Sequence, residues 1–236
     1  LYILSDIRLM IKAVIFDLDN TLLDFIKMKQ FAVQAAISSM VEAGLEVDEG
    51  EACNNIFRMY EEGGWENQSI FNDFLDKEIG SVDHKLLAAG IVAYRRAREA
   101  SLQLYPNVNK TLFELLKMGI KLAVVSDAPS REAWMRIYYL NLHHVFDLVL
   151  TIDDTGARKP SSKPFAMALE SLKIKADDAI MVGDWPERDV EGAKKVGMRT
   201  IFARYGDTFE TKHSGADWDV NDIYEIVGII KELNGA

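Results

Sequence analysis

The sequence predicts an α/β fold, a parallel sheet covered by helices on both faces, with a helical insertion early in the chain. Three observations carry this. The run Ile11-Lys12-Ala13-Val14-Ile15-Phe16 is short, apolar and β-branched, and it stops abruptly in polar residues, as a strand buried on both faces does. From Ile120 onward, short apolar runs alternate with stretches of helical period. Between these regions, residues 25–103 hold only segments of helical character and no alternating strand.

The elements follow in order. Phe25 to Ala43 lacks Gly and Pro, repeats apolar residues at Met28, Phe31, Ala32, Ala35, Ala36 and Met40, and ends at Gly44, a good helix stop. Glu49–Tyr60, Ser69–Ile79 and Val82–Ala100 read as further helices, broken by Gly63-Gly64 and started near Asp83. An inserted helical domain explains so much helix between a strand and its first partner strand. Val108–Met118 is then a helix and Ile120–Val125 a strand ending at Ser126-Asp127. Pro129–Leu140 is a helix, and Val145–Leu150 holds a short strand that ends in Thr151-Ile152-Asp153-Asp154. Ser161–Leu172 is a helix with Pro164 in its first turn, where proline is tolerated. Ala179–Val182 is a strand ending at Gly183-Asp184, Glu187–Val196 a helix, Met198–Ala203 a strand, and Asn221–Leu233 a closing helix capped by Asn221.

Composition narrows the function. The 236 residues are 49% hydrophobic and 27% charged, ordinary for a globular protein with a real core. The net charge of −10 argues against non-specific nucleic-acid binding. It also means that any phosphate site must supply its own positive charge. No stretch approaches the length of a membrane span. The single cysteine, Cys53, has no internal disulfide partner and fits a reducing, cytoplasmic location. The four histidines lack metal-ligand spacing. Residues 1–9, which carry Asp6 and Arg8 and lack a signal-peptide pattern, read as an extension ahead of Met10 or an upstream misassigned start.

Chemistry concentrates where predicted strands end. In extended chain, side chains two apart point the same way, so Asp17 and Asp19 face one crevice. Such a pair either ends the strand and caps the next helix, or asks for a cation or a proton-transfer role. Ser126, the loop carrying Lys159, and Asp184 with Asp189 come after three later strands, and a parallel sheet brings such ends to one edge.

In that order these residues resemble the motifs of the haloacid dehalogenase superfamily. Asp17-Leu18-Asp19-Asn20-Thr21 matches its Asp-x-Asp-x-Thr motif, Val124-Val125-Ser126 its second motif, Arg158-Lys159-Pro160 its third, and Gly183-Asp184 with Asp189 its fourth. The resemblance runs from Ile11 through nearly the whole chain. It implies a Rossmann-like parallel-sheet core, residues 1–24 and 104–236, with an inserted α-helical cap over residues 25–103. It further implies a Mg²⁺-dependent phosphatase acting on a small phosphorylated metabolite, with archaeal phosphatases of three-carbon sugar phosphates the suggested branch. In this resemblance Asp17 is the nucleophile, Asp19 the general acid and base, and Ser126 and Lys159 bind phosphate. Asp17, Asp184, the main-chain carbonyl of Asp19, and Asp189 directly or through water hold Mg²⁺. A sugar phosphomutase or a 2-haloacid dehalogenase on the same fold is the alternative. Trp185 and Asp127 depart from the pattern, where smaller polar residues and Asn are common. In the cap, the Gly63-Gly64-Trp65 turn looks least like core and is the segment expected to reach the substrate.

Overall fold

The computed structural model describes residues 10–235, so the reading of residues 1–9 lies outside the described residues. In chain order, β1 (Ala13–Phe16) precedes α1 (Phe25–Glu42), α2 (Glu49–Gly63), α3 (Ile70–Ile79) and α4 (His84–Ser101). Next come α5 (Val108–Lys117), β2 (Lys121–Val125), α6 (Ser130–Tyr139), β3 (Leu148–Leu150), the short α7 (Ile152–Thr155) and α8 (Ser162–Leu172). The chain ends with β4 (Ala179–Gly183), α9 (Glu191–Lys194), β5 (Arg199–Ala203), β6 (Trp218–Val220) and α10 (Glu225–Asn234). It divides into two compact units, one of residues up to Asp24 and from Leu104 onward, the other Phe25–Gln103.

The first unit is a six-stranded sheet in the order β3-β2-β1-β4-β5-β6, with every pairing parallel. β1 is central, with Phe16 level with Val124 of β2 and Val182 of β4. The strand order reverses at β1, and in open parallel sheets the crevice outside the carboxyl ends at such a switch point is where ligands bind. On one face Ala13, Ile15, Ala123, Val125 and Met181 bury against Phe165, Ala168 and Leu172 of α8 and Ala193 of α9. The alternate residues Val14, Phe16, Leu122 and Val124 are as deeply buried on the other face. Strands covered on both sides have no reason to alternate in polarity, which is why these runs are continuously apolar.

The second unit is α1 to α4 around Val33, Ile37, Met40, Ile56, Tyr60, Phe71, Phe74 and Leu86. Asp48 and Asp83 cap α2 and α4, their carboxylates accepting backbone N–H groups of the first turn. At Gly90 the Met40 side chain of α1 fills the space a Cβ would take, so α4 and α1 pack closely at this position. The Gly63-Gly64-Trp65 turn is tied into this unit. The Trp65 ring stacks on Tyr60 at 5.8 Å, and its carbonyl accepts a 2.7 Å hydrogen bond from the buried Lys29 ammonium. That ammonium also lies 4.2 Å from the Tyr60 ring centroid. Trp65 thus packs with the apolar side chains of its own unit.

Three elements differ from their sequence reading. Thr151–Asp154, read as a polar strand tail, forms the start of α7, because the Thr151 N–H and Oγ1 both donate to Asp154 Oδ2, at 2.8 and 2.6 Å. The stretch read as one helix from Glu187 is a wide π-type turn, Pro186–Val190, continued by α9. Asn221 does not cap the last helix, since α10 begins at Glu225, whose Oε1 accepts the N–H groups of Asn221 and Asp222. No helix among the described residues is long and apolar enough to cross a membrane.

Candidate active site

The carboxyl ends of β1 and β4, with the loop after β3, assemble one charged cluster. Asp17 comes directly after β1, anchored by its N–H to the Val182 carbonyl at 2.8 Å. Its Oδ1 accepts a 2.5 Å hydrogen bond from Lys159 Nζ. The same ammonium donates to Asp189 Oδ1 at 2.6 Å. Asp17, Asp184 and Asp189 each offer a carboxylate oxygen, and these lie within 4.8 Å of one another. All four side chains are buried.

Each group is held by local structure. Thr21 Oγ1 donates to Asp184 Oδ1 at 2.8 Å, while the Thr21 carbonyl accepts the Tyr205 hydroxyl at 2.8 Å. Asn20 takes a left-handed φ of 60° and donates its N–H to the Leu23 carbonyl, which folds the chain back after the strand. Asp189 sits in the wide turn after β4, and its Oδ2 accepts the Trp185 N–H at 3.1 Å. A Cβ on Gly183 would stand 2.2 Å from Asp189 Cγ, so the absent side chain is the space this carboxylate occupies. The Lys159 N–H donates to Asp127 Oδ1 at 3.0 Å, and the Lys159–Pro160 peptide is cis. Asp127, whose carbonyl also accepts from Arg158, therefore fixes the lysine loop to the end of β2. Ser126 is buried beside it, its N–H bonded to the Leu150 carbonyl and its Oγ accepting the Ala128 N–H.

The electrostatics arise from burial. Loss of solvent pushes the Asp17 carboxyl up to about 7, against the pull of Lys159 and with the help of Asp189 and Asp19. Burial likewise holds Asp184 well above the carboxylate range, with Asp17 and Asp189 adding to it and the Thr21 hydroxyl opposing. Burial works against the Lys159 charge, but Asp17, Asp189 and Asp127 outweigh it and hold the ammonium above its ordinary range. Three buried carboxylates thus face one ammonium. An all-oxygen set with this surplus of negative charge fits a hard divalent cation.

Asp19 takes a different partner. Its Oδ2 accepts a 2.8 Å hydrogen bond from Arg136 Nη1, an ion pair in which the guanidinium side chain is 7% exposed and the carboxylate 22%. The sequence alone does not single out Arg136 or Tyr205. For Arg136 a signal exists, because it lies with Glu132, Ala133 and Ile137 on the buried face of α6, where a charge needs a reason. Beyond the cluster, Arg188 stacks over Trp185 at 3.6 Å, and Trp185 meets Phe209 at 4.5 Å.

A model of the haloacid dehalogenase-like hydrolase family matches residues 14–203. The chain belongs to that family. It is 34% identical over 227 residues to the glyceraldehyde 3-phosphate phosphatase of Methanocaldococcus jannaschii, covering 95% of this chain and 99% of the relative. It is 36% identical over 232 residues to the glyceraldehyde 3-phosphate phosphatase of Methanopyrus kandleri, with the same coverage, 95% and 99%. Among solved structures it is similar to the crystal structure of a HAD phosphatase from Thermococcus onnurineus, with a TM-score of 0.69 and 27% identity over 93% of this chain and 98% of that one. The chain is a haloacid dehalogenase-like phosphatase, a phosphoric monoester hydrolase.

Proposed function

We propose that this phosphatase is Mg²⁺-dependent and hydrolyses a small sugar phosphate, of the size of glyceraldehyde 3-phosphate, through an aspartyl-phosphate on Asp17. The observation that carries the reading is the buried set of Asp17, Lys159, Asp184 and Asp189, with Asp19 two residues beyond the nucleophile on a separate cation. The substrate class rests on the relatives named for glyceraldehyde 3-phosphate, which match nearly the whole chain.

Asp17, Asp184 and the Asp19 carbonyl would hold Mg²⁺, with Asp189 binding it directly or through water. When bound, Mg²⁺ supplies positive charge to neutralise phosphoryl oxygens and carboxylates together. An Asp17 oxygen attacks phosphorus, and the bond from phosphorus to the leaving oxygen breaks. Asp19 gives that oxygen its proton. Water then attacks the phosphorus of the aspartyl-phosphate while Asp19 takes the water's proton, which releases inorganic phosphate and restores Asp17. Lys159 keeps the Asp17 oxygen in place and stabilises charge on the phosphoryl group. Ser126 donates its hydroxyl to a phosphoryl oxygen. A halide leaves without a proton, so Asp19 argues for a phosphate ester over a haloacid.

A phosphate-release screen over small phosphorylated metabolites tests this, run with Mg²⁺ and with EDTA. The reading predicts Mg²⁺-dependent release with a three-carbon sugar phosphate among the best substrates. Isomerisation of a sugar phosphate without phosphate release would replace the phosphatase reading with the mutase one.

A further inference from the structure

We propose that Arg136 is a positioning residue for the reaction, acting through Asp19 by fixing the aim of its carboxylate. The inference rests on the reading of Asp19 as general acid and base. A buried arginine on the inward face of α6, one turn from the buried Glu132, is costly to desolvate and cannot shed its charge. Its guanidinium therefore requires acidic partners in fixed positions. Arg136 Nη1 anchors Asp19 Oδ2 at 2.8 Å. With one oxygen anchored, rotation about the side chain is restricted and the direction of the other oxygen is set. The anchor comes from outside the Asp17 cluster. Lys159 is engaged by Asp17 and Asp189, so the nucleophile and the acid are held by different cations from different elements. That separation leaves the orientation of Asp19 independent of the contacts Lys159 makes in the Asp17 cluster.

A purely structural role for the pair, tying α6 to the loop after β1, makes a different prediction. Loss of a structural tie lowers activity equally for every substrate. Loss of acid positioning matters most when the leaving oxygen needs a proton. The discriminating measurement is kcat/KM at saturating Mg²⁺ for an alkyl phosphomonoester, glycerol phosphate, and for p-nitrophenyl phosphate, whose leaving group departs unprotonated. For Arg136→Met the inference predicts a loss of about tenfold or more on glycerol phosphate and of roughly threefold or less on p-nitrophenyl phosphate. Arg136→Lys, which keeps a charge but not the fork, recovers part of the glycerol phosphate rate. The same pair of substrates is measured for Asp19→Asn and for the double variant, where Arg136→Met adds no further selectivity. Thermal unfolding of each variant checks the fold, and if Arg136→Met does not fold, Arg136→Lys carries the comparison with a smaller loss in the same sense.

Equal losses on both substrates, or additive selectivity in the double variant, overturn the positioning role of Arg136. If Asp19→Asn itself shows no leaving-group selectivity, the acid role of Asp19 fails, and the inference with it. Selectivity in Asp19→Asn without selectivity in the Arg136 variants fails the inference alone.

Discussion

Lys159 Nζ stands 2.5 Å from Asp17 Oδ1, pairing a loop after β3 with the end of the central strand. The two positions are 142 residues apart in sequence, and the parallel sheet makes them neighbours. This pair ties the proposed nucleophile to a cation that also holds Asp189.

Replacing that cation should be costly for turnover. Lys159→Met removes the charge facing the phosphoryl group and leaves Asp17 and Asp189 without their shared donor. Phosphatase kcat should fall about a hundredfold or more, as when a preorganised donor is lost. Breaking a buried ion pair also costs about 3 kcal/mol or more, so thermal unfolding in EDTA should come at a lower temperature. Wild-type turnover in this variant would remove Lys159 from the site.

The carboxylate cluster should bind Mg²⁺ in the absence of substrate. A ligand that binds only the folded state at a hundredfold excess over its Kd stabilises by about 2.7 kcal/mol. In a chain of this size that raises the unfolding temperature by roughly 5–10 °C. Asp184→Asn should abolish the rise seen by differential scanning calorimetry, and Asp189→Asn should reduce it. An unchanged rise in Asp184→Asn places the cation elsewhere.

Gly183 is the third test, and it acts without changing any charge. A Cβ there meets Asp189 Cγ at 2.2 Å, so Gly183→Ala should push the carboxylate out of the cluster. The expected outcome is a weakened Mg²⁺-induced thermal shift and a fall in kcat, with a cost of roughly 1–3 kcal/mol from overpacking. Mg²⁺ binding and turnover equal to wild type would show that Asp189 does not need this space.

Much of the fold is legible in the chain because buried parallel strands advertise themselves. Ala13–Phe16, Leu122–Val125 and Ala179–Val182 are continuous apolar runs, and the polar residues Asp17, Ser126 and, one past Gly183, Asp184 follow them at the sheet edge. The shape of the Asp189 turn is hidden. A helical period over Glu187–Val196 cannot reveal that Asp189 folds back to the Trp185 N–H over a side-chain-free Gly183. β6 escapes because Trp218-Asp219-Val220 is three residues with a charge at its centre, too short for a period. Arg136 is half legible: its spacing with Ala133 and Ile137 sets it on the inward face of a helix, but nothing local names the partner, 117 residues away. Trp65 is legible only in part. The two glycines before it mark the exposed turn the structure shows, but the contacts of the half-buried Trp65 with the Lys29 ammonium and the Tyr60 ring are not written in any local pattern.

The central claim is that Asp17 carries the phosphoryl group. Rapid acid quench of the Mg²⁺-loaded enzyme turning over a ³²P-labelled phosphomonoester measures this directly. The account predicts a transient protein-bound label, released by hydroxylamine as acyl phosphates are, mapping to the peptide that contains Asp17 and absent from Asp17→Asn. Label on another residue, or turnover retained in Asp17→Asn, would contradict it.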